Sequence, residues 1–340
     1  LSIRRQRQMC IRDSYLKLKA EAATNPLIEA RLEQSGLLAN IATIARVIGA
    51  KIAEIPPHAF ALSLLAALLA YLALAWYDKI ALMHLGKEKG ISFFYIGLTA
   101  FVTYALAHNI GASVISGGAV RYRAYTAKGL TVPEVAVLVL LCSFTFFFAT
   151  AIMLGLALIV SPDLLAPLTR LSPWFAVSEL TARLAGLGLL GVSAAYAVGA
   201  FCNIKPLKLK GVLIAYPSPR IIGLQAIFAP LEIIGAAGII YFALPAENHP
   251  GFFLVLGAFL LSFSAGLISQ VPGGVGVMEA VFLALMPQLP ASSVFAALLV
   301  WRLLYLIVPL MVSIPVVLVY ERARYKAEHP KPLPSWPSRS

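Results

Sequence analysis

GFFLVLGAFLLSFSAGLISQVPGGVGVMEAVFLAL, residues 251–285, is an apolar segment broken in its middle. Ser269-Gln270-Val271-Pro272-Gly273-Gly274-Val275-Gly276 interrupts it, and the short run beginning VMEAVF resumes the apolar character. Without the break this would be an ordinary membrane span. With it, the backbone is irregular at membrane depth, which is tolerated only when buried in protein or lining a wet cavity. Residues 91–120 repeat the pattern: an apolar stretch, then His108-Asn109, then GASVISGGAV with Gly117-Gly118.

Continuous apolar runs surround these two segments at 58–77, 134–160, 184–202, 221–244 and 291–320. Each reaches or exceeds the roughly 18 residues that cross a bilayer. Hydrophobic residues make up 60% of the 340-residue chain and charged ones 12%, which excludes a pair of soluble domains. An ordinary soluble domain is roughly 25% charged. The fold class expected is therefore an all-α polytopic membrane protein, with about five full spans and two re-entrant, glycine-broken hairpins. The net charge of +12 then belongs in cytoplasmic loops rather than to a nucleic-acid footprint.

Charge placement supports the hairpins. If each broken segment leaves by the side it entered, the loops 78–90, 121–128 and 203–220 and the C-terminal tail are cytoplasmic. These hold fifteen Lys and Arg residues, among them Lys79, Lys87, Lys128, Lys208 and Arg322, against two, Arg170 and Arg183, outside. Reading either segment as a single span inverts every later loop and spoils the asymmetry. The same scheme predicts an inverted repeat, 58–160 against 221–320, joined by the 184–202 helix. Such repeats with discontinuous helices are a transporter architecture.

The termini are set apart from this domain, taken as 57–320. Residues 1–14 read as a translated sequencing-adaptor tail. Residues 15–56 form a polar segment and an interfacial amphipathic helix over 37–55, with Ile41, Ile44, Ile48, Ile52 and Ile55 opposite Asn40, Thr43, Arg46, Lys51 and Glu54. The scheme puts this basic start outside, and a further span upstream would reconcile it with its charge. Residues 321–340 are a basic, Pro-rich cytoplasmic tail.

Charges within apolar runs are functional candidates by default. Glu232 and Arg302 are each the twelfth residue of their runs and are expected to pair across the interior. Glu279 follows the PGGVG break and suits the first turn of a half-helix. Arg121 and Arg123 follow Gly117-Gly118, where they can snorkel to the interface or bind phosphate. Asp78, beside Trp76 and Tyr77, suits interfacial anchoring, and His108 suits a local backbone bond. The glycines of each break can open backbone N–H groups to an anion or merely allow close helix packing. The candidate substrate-binding set is Asp78, Asn109, Gly117, Gly118, Arg121, Arg123, Glu232, Gln270, Pro272, Gly273, Gly274, Gly276, Glu279 and Arg302. An anionic headgroup is expected to pass between the two breaks, where Asp78, Glu232 and Glu279 suit any cationic group it carries. The histidines lack ligand spacing and the three cysteines lack metal or redox spacing, so no cofactor is expected. No nucleotide or hydrolase motif is present.

Five strings in order carry a family resemblance: LLAYLALAWYDKIALMHLG (68–86), HNIGASVISGGAVRYRAY (108–125), LEIIGAAGIIYFALP (231–245), SQVPGGVGVMEAVF (269–282) and WRLLYLIVPL (301–310). Over roughly 40–322 the chain resembles the membrane domain of the bacterial lysylphosphatidylglycerol synthetase/flippase family, the multiple peptide resistance factor group. Gln270 stands where that family's pattern suggests histidine, and no aminoacyl-transferase domain follows. The resemblance implies translocation of phospholipid, notably aminoacylated phosphatidylglycerol, across the inner membrane, in support of resistance to cationic peptides. It implies membrane phospholipids as partners, and a separate synthetase or a second copy of the chain as further ones. Two rivals stand beside the translocase: a membrane-embedded enzyme acting on headgroups, and an anchor subunit for a synthetase.

Overall fold

Pro56 and Pro57 open the first long helix, since proline at the first helical position gives up only a donor that would be unpaired anyway. The computed structural model describes residues 46–110, 113–170, 177–202, 204, 206–209, 212–247 and 249–328. The readings on 1–45 and 329–340 lie outside them. Of the expected amphipathic helix, the described part is helical over 46–53.

Helix α1 runs Pro57–His84, α2 Phe93–Ile110, α3 Ser113–Thr126 and α4 Val132–Val160. A 3-10 stretch, Pro162–Arg170, leads towards α5, Glu179–Gly199. A two-stranded hairpin, Leu207–Leu209 with Val212–Ile214, precedes α6, Pro219–Ala243. Then come α7, Phe252–Ile268, a 3-10 turn at Pro272–Gly274, and α8, Val277–Leu285. The last span begins as α9, Ala291–Trp301, widens to a π-helical segment at Arg302–Ile307, and continues as α10, Val308–Glu328. Among the described residues, six helices are long and apolar enough to cross a membrane. Five are the expected spans, and the sixth is α2, the long arm of the first hairpin.

Both broken segments return to the side they entered. The Tyr95 hydroxyl, near the start of α2, donates to the Ala124 carbonyl near the end of α3 at 2.9 Å. Lys87 after α1 pairs with Glu134 at the start of α4 at 3.1 Å, so that hairpin's two ends share a face. At the other end of the molecule, Leu244 and Glu247 border the same vestibule as Leu289 and Pro290, which places the ends of the α7–α8 hairpin together.

Helices α1 and α6, the first of each half of the expected repeat, pack directly on each other. Ser63 donates to the Ile239 carbonyl at 3.0 Å, and Trp76 stacks on Phe228 at 4.0 Å, so the helices run antiparallel. At their crossing a Cβ on Gly235 would lie 2.7 Å from the Ala66 carbonyl oxygen. Only glycine allows backbones that close, and this close approach is how helices associate where lipid gives no hydrophobic drive.

Gly117-Gly118 does not break the first hairpin. Both residues lie inside α3, which starts at Ser113 and runs through them without interruption. A Cβ on Gly117 would come within 3.2 Å of Thr103 and 3.5 Å of Ala107. Gly117 therefore serves close packing of the arms, the second of the two readings, while Gly118 faces α4, where a Cβ would lie 4.0 Å from Val139. Arg121 likewise sits in the helix rather than in a loop.

Candidate functional site

The second break is built from left-handed backbone. Gly273, Gly274 and Gly276 have φ of 60°, 62° and 84°, values that carry little cost only without a Cβ. Gln270 shares this conformation at φ 54° and donates from its side chain to the Leu267 carbonyl at 2.9 Å. Pro272 starts the turn. Gly276 N–H donates to Glu279 at 2.8 Å, and Gly274 N–H to the Val271 carbonyl at 2.8 Å. Two of the donors expected to meet a phosphate, the N–H groups of Gly274 and Gly276, are thus engaged by the chain itself.

Arg302 pairs with Glu279, not with Glu232. Its Nε donates to Glu279 at 2.6 Å and its Nη1 to the Gly273 carbonyl at 2.8 Å, so it straps the break to the last span. Glu232 is met instead by two phenols: the Tyr305 hydroxyl donates at 2.6 Å and the Tyr77 hydroxyl at 3.4 Å. Position along a run sets depth but not azimuth, and three residues beyond Arg302 it is Tyr305 that faces α6. The carbonyls in that wide turn are also taken. Tyr71 donates to the Tyr305 carbonyl at 2.9 Å, and the Asn109 amide to the Leu306 carbonyl at 3.0 Å. Asn109 thereby ties the tip of the first hairpin to the π segment, a feature common at functional sites.

Asp78 is no interfacial anchor. Helix α1 continues past it to His84, and Asp78 is 0% exposed. Arg121 donates to it through Nε at 3.1 Å and Nη2 at 2.6 Å, and Tyr125 through its hydroxyl at 2.8 Å. The guanidinium also lies over the Tyr104 ring, 4.9 Å from its centroid. Arg121 is therefore neither snorkelling nor free for phosphate. Arg123 is at the surface, paired with Glu321 at 2.7 Å.

Each hairpin's returning arm is thus clamped by an ion pair, Arg121–Asp78 on α3 and Glu279–Arg302 on α8. Between the two hairpins lies a cavity of about 340 Å³. Ala107 and His108 line it from the first hairpin, and Gln270, Gly273 and Gly274 from the second, with Thr150 on α4 and Trp301 on α9. A narrower pocket of about 140 Å³ shares His108, Phe146 and Phe263 with it and reaches inward to Arg121 and Glu232. Phe147 and Ile268 border the cavity and stand 65% and 80% exposed on the apolar surface.

Of the expected site residues, Gln270, Gly273, Gly274, Arg121 and Glu232 line these spaces. Asp78, Asn109, Glu279 and Arg302 hold the walls, Pro272 and Gly276 shape the break, Gly117 packs the arms, Gly118 faces α4, and Arg123 stands apart. Sequence reasoning missed Thr150, Trp301 and the phenols. His108 was expected to bond local backbone, yet its Nδ1 is buried without a partner among the described residues.

The phenols give a first prediction. Glu232→Gln keeps an oxygen for Tyr305 and is expected to change stability by under about 1 kcal/mol, whereas Glu232→Leu orphans two hydroxyls at about 1–3 kcal/mol each. Unfolding midpoints in detergent check this. A Gln variant as damaged as the Leu variant would show that Glu232 is held by a charge.

Residues 37–313 match the family described as the lysylphosphatidylglycerol synthase TM region. The chain is 32% identical over 255 residues to the uncharacterized protein slr0712 of Synechocystis, covering 72% of this chain and 73% of that one. It is 30% identical over 258 residues to the inner membrane protein YbhN of Escherichia coli, covering 74% and 76%. A phosphatidylglycerol lysyltransferase of Staphylococcus epidermidis is 33% identical over 87 residues, which is 25% of this chain and 10% of that protein.

Proposed function

The chain belongs to the lysylphosphatidylglycerol synthase transmembrane family, and we propose that it moves phospholipid between the leaflets of the bacterial inner membrane. The observation that carries this reading is the cavity between the tips of two oppositely entering hairpins, bordered by the exposed apolar Phe147 and Ile268. A lipid crossing a bilayer needs a recess in the protein for its polar part while its chains stay in hydrocarbon, and a cavity open beside exposed apolar side chains suits both. The inverted repeat supports the same reading, because two packings related by inversion can expose one site to each side in turn. The lysyltransferase name carried by one relative, together with the resemblance of the whole chain, favours an aminoacylated phosphatidylglycerol or a related lipid as cargo, and so a part in resistance to cationic peptides.

Chemistry on the headgroup has less support. The carboxylates that could act as a base are committed: Asp78 to Arg121, Glu279 to Arg302, and Glu232 to two phenols. Purified protein in vesicles with a fluorescent phosphatidylglycerol tests the reading. Without protein only the outer-leaflet label is destroyed by a membrane-impermeant reductant, and with it the inner label should be lost too. Loss restricted to the outer leaflet overturns the translocase, and an altered headgroup favours the enzyme.

The orientation proposed keeps the basic loops and the C-terminus cytoplasmic. A cysteine at position 208, in a background without native cysteines, is expected to react with an impermeant maleimide only after the membrane is opened. Labelling of intact cells would reverse the scheme.

A further inference from the structure

Three polar atoms in the wall of the cavity between the hairpin tips are buried and have no hydrogen-bond partner among the described residues: His108 Nδ1, Thr150 Oγ1 and Trp301 Nε1. They stand on three different elements, α2, α4 and α9, and all three residues line that cavity. Trp301 is only 1% exposed, so solvent does not satisfy it. Folded proteins leave few such atoms, because an unmade buried bond costs more than a made one returns. Three at one cavity point to something that binds there.

The chemistry of the three atoms defines the guest. An indole N–H can only donate, a threonine hydroxyl donates or accepts, and an imidazole Nδ1 donates in one tautomer. The guest must therefore present acceptor oxygens. It must also tolerate the apolar part of the wall, which includes Phe146, Phe147, Phe263 and Met278. No unpaired cation faces the space, since Arg121 is spent on Asp78 and Arg302 on Glu279. The molecule that combines acceptor oxygens with long apolar chains is a glycerolipid, through its ester carbonyls or its phosphodiester.

Resting on the translocase reading for the class of ligand, we infer that His108, Thr150 and Trp301 form a recognition site for the ester and phosphate oxygens of a lipid. The chains lie outward over Phe147 and Ile268. Recognition is by neutral donors at the interfacial part of the lipid, not by the acidic side chains that the headgroup would need.

Equilibrium binding to the purified full chain in detergent tests this without requiring transport. Phosphatidylglycerol and diacylglycerol are titrated separately and bound lipid is counted by native mass spectrometry. Thr150→Val and Trp301→Phe should each bind phosphatidylglycerol roughly five-fold more weakly, the loss of one neutral hydrogen bond. Thr150→Val should at the same time melt no lower than the parent without added lipid, because it removes an unpaired hydroxyl of matching shape. Weakened binding of both lipids assigns the donors to the ester carbonyls, and weakened binding of phosphatidylglycerol alone assigns them to the phosphodiester. Parental binding of both lipids by both variants overturns the site, as does a lowered melting point with unchanged binding. Because the readout is binding, a protein that binds lipid here but fails to exchange it refutes the transport reading and leaves this site standing.

Discussion

Replacing Arg121 with glutamine is expected to cost about 3–5 kcal/mol of stability, the typical loss when one partner of a buried ion pair is removed. Asp78 is fully buried, and the guanidinium meets both of its oxygens. With the arginine gone, the Tyr125 hydroxyl is the one strong donor left to the carboxylate, with the weakly donating Cys142 thiol 3.6 Å away. Adding Asp78→Asn to the Arg121 variant should recover most of the loss, since two neutral amides leave no lone charge in the interior. The contrast is the test, read as unfolding midpoints in detergent. A double variant no more stable than the single would mean that the pair is not what holds α3 to α1. Arg121→Lys should fall between them, because an ammonium cannot reproduce the two-pronged contact.

That pair was hidden in the sequence for a definable reason. Asp78-Lys79 follows Trp76-Tyr77 and looks like the end of a span, where aromatic and charged residues gather. The apolar IALMH that follows continues the helix to His84 and carries Asp78 inside. Its partner lies 43 residues further on, in a segment whose charges suggested a cytoplasmic loop. Hydropathy and the asymmetry of Lys and Arg were enough to read the two hairpins and the five spans, because those depend on composition along the chain. Pairing within the bundle depends on which way each helix is turned, and a single sequence carries that only weakly. Glu232 and Arg302 have matched depth but different azimuth, and the π segment adds an offset that no helical wheel contains. One signal was present: Tyr77 and Tyr305 sit in otherwise apolar runs, and a buried phenol seeks an acceptor. Glu232 is the acceptor that both of them found.

The glycines show the same division. Gly273, Gly274 and Gly276 stand beside a proline and are spaced for a turn, and each adopts positive φ. Gly117-Gly118 has the composition of a break but lies inside α3, where Gly117 seats the helix against Thr103 and Ala107. A glycine pair in a membrane segment marks either a turn or a close contact, and its neighbours tell which.

Arg302→Met is expected to have the second large effect, and one that separates stability from activity. The guanidinium neutralises Glu279 and also holds the Gly273 carbonyl, and Gly273 lines the cavity. The single variant leaves Glu279 facing Gly276 N–H with no cation nearby, at a cost of about 3 kcal/mol for a largely buried group. Adding Glu279→Gln removes the stranded charge, and its amide oxygen still accepts from Gly276 N–H, so most of the stability should return. The strap between Gly273 and the last span does not return with it. Nothing then fixes the wall of the cavity against the π segment that Asn109 holds from the other hairpin. Lipid exchange in vesicles should therefore stay depressed by at least about ten-fold in the double variant, a loss of about 1.4 kcal/mol of transition-state stabilisation. Parental exchange in a double variant that has regained its melting point would show that the strap serves folding alone, and that the second break needs no anchor to move lipid.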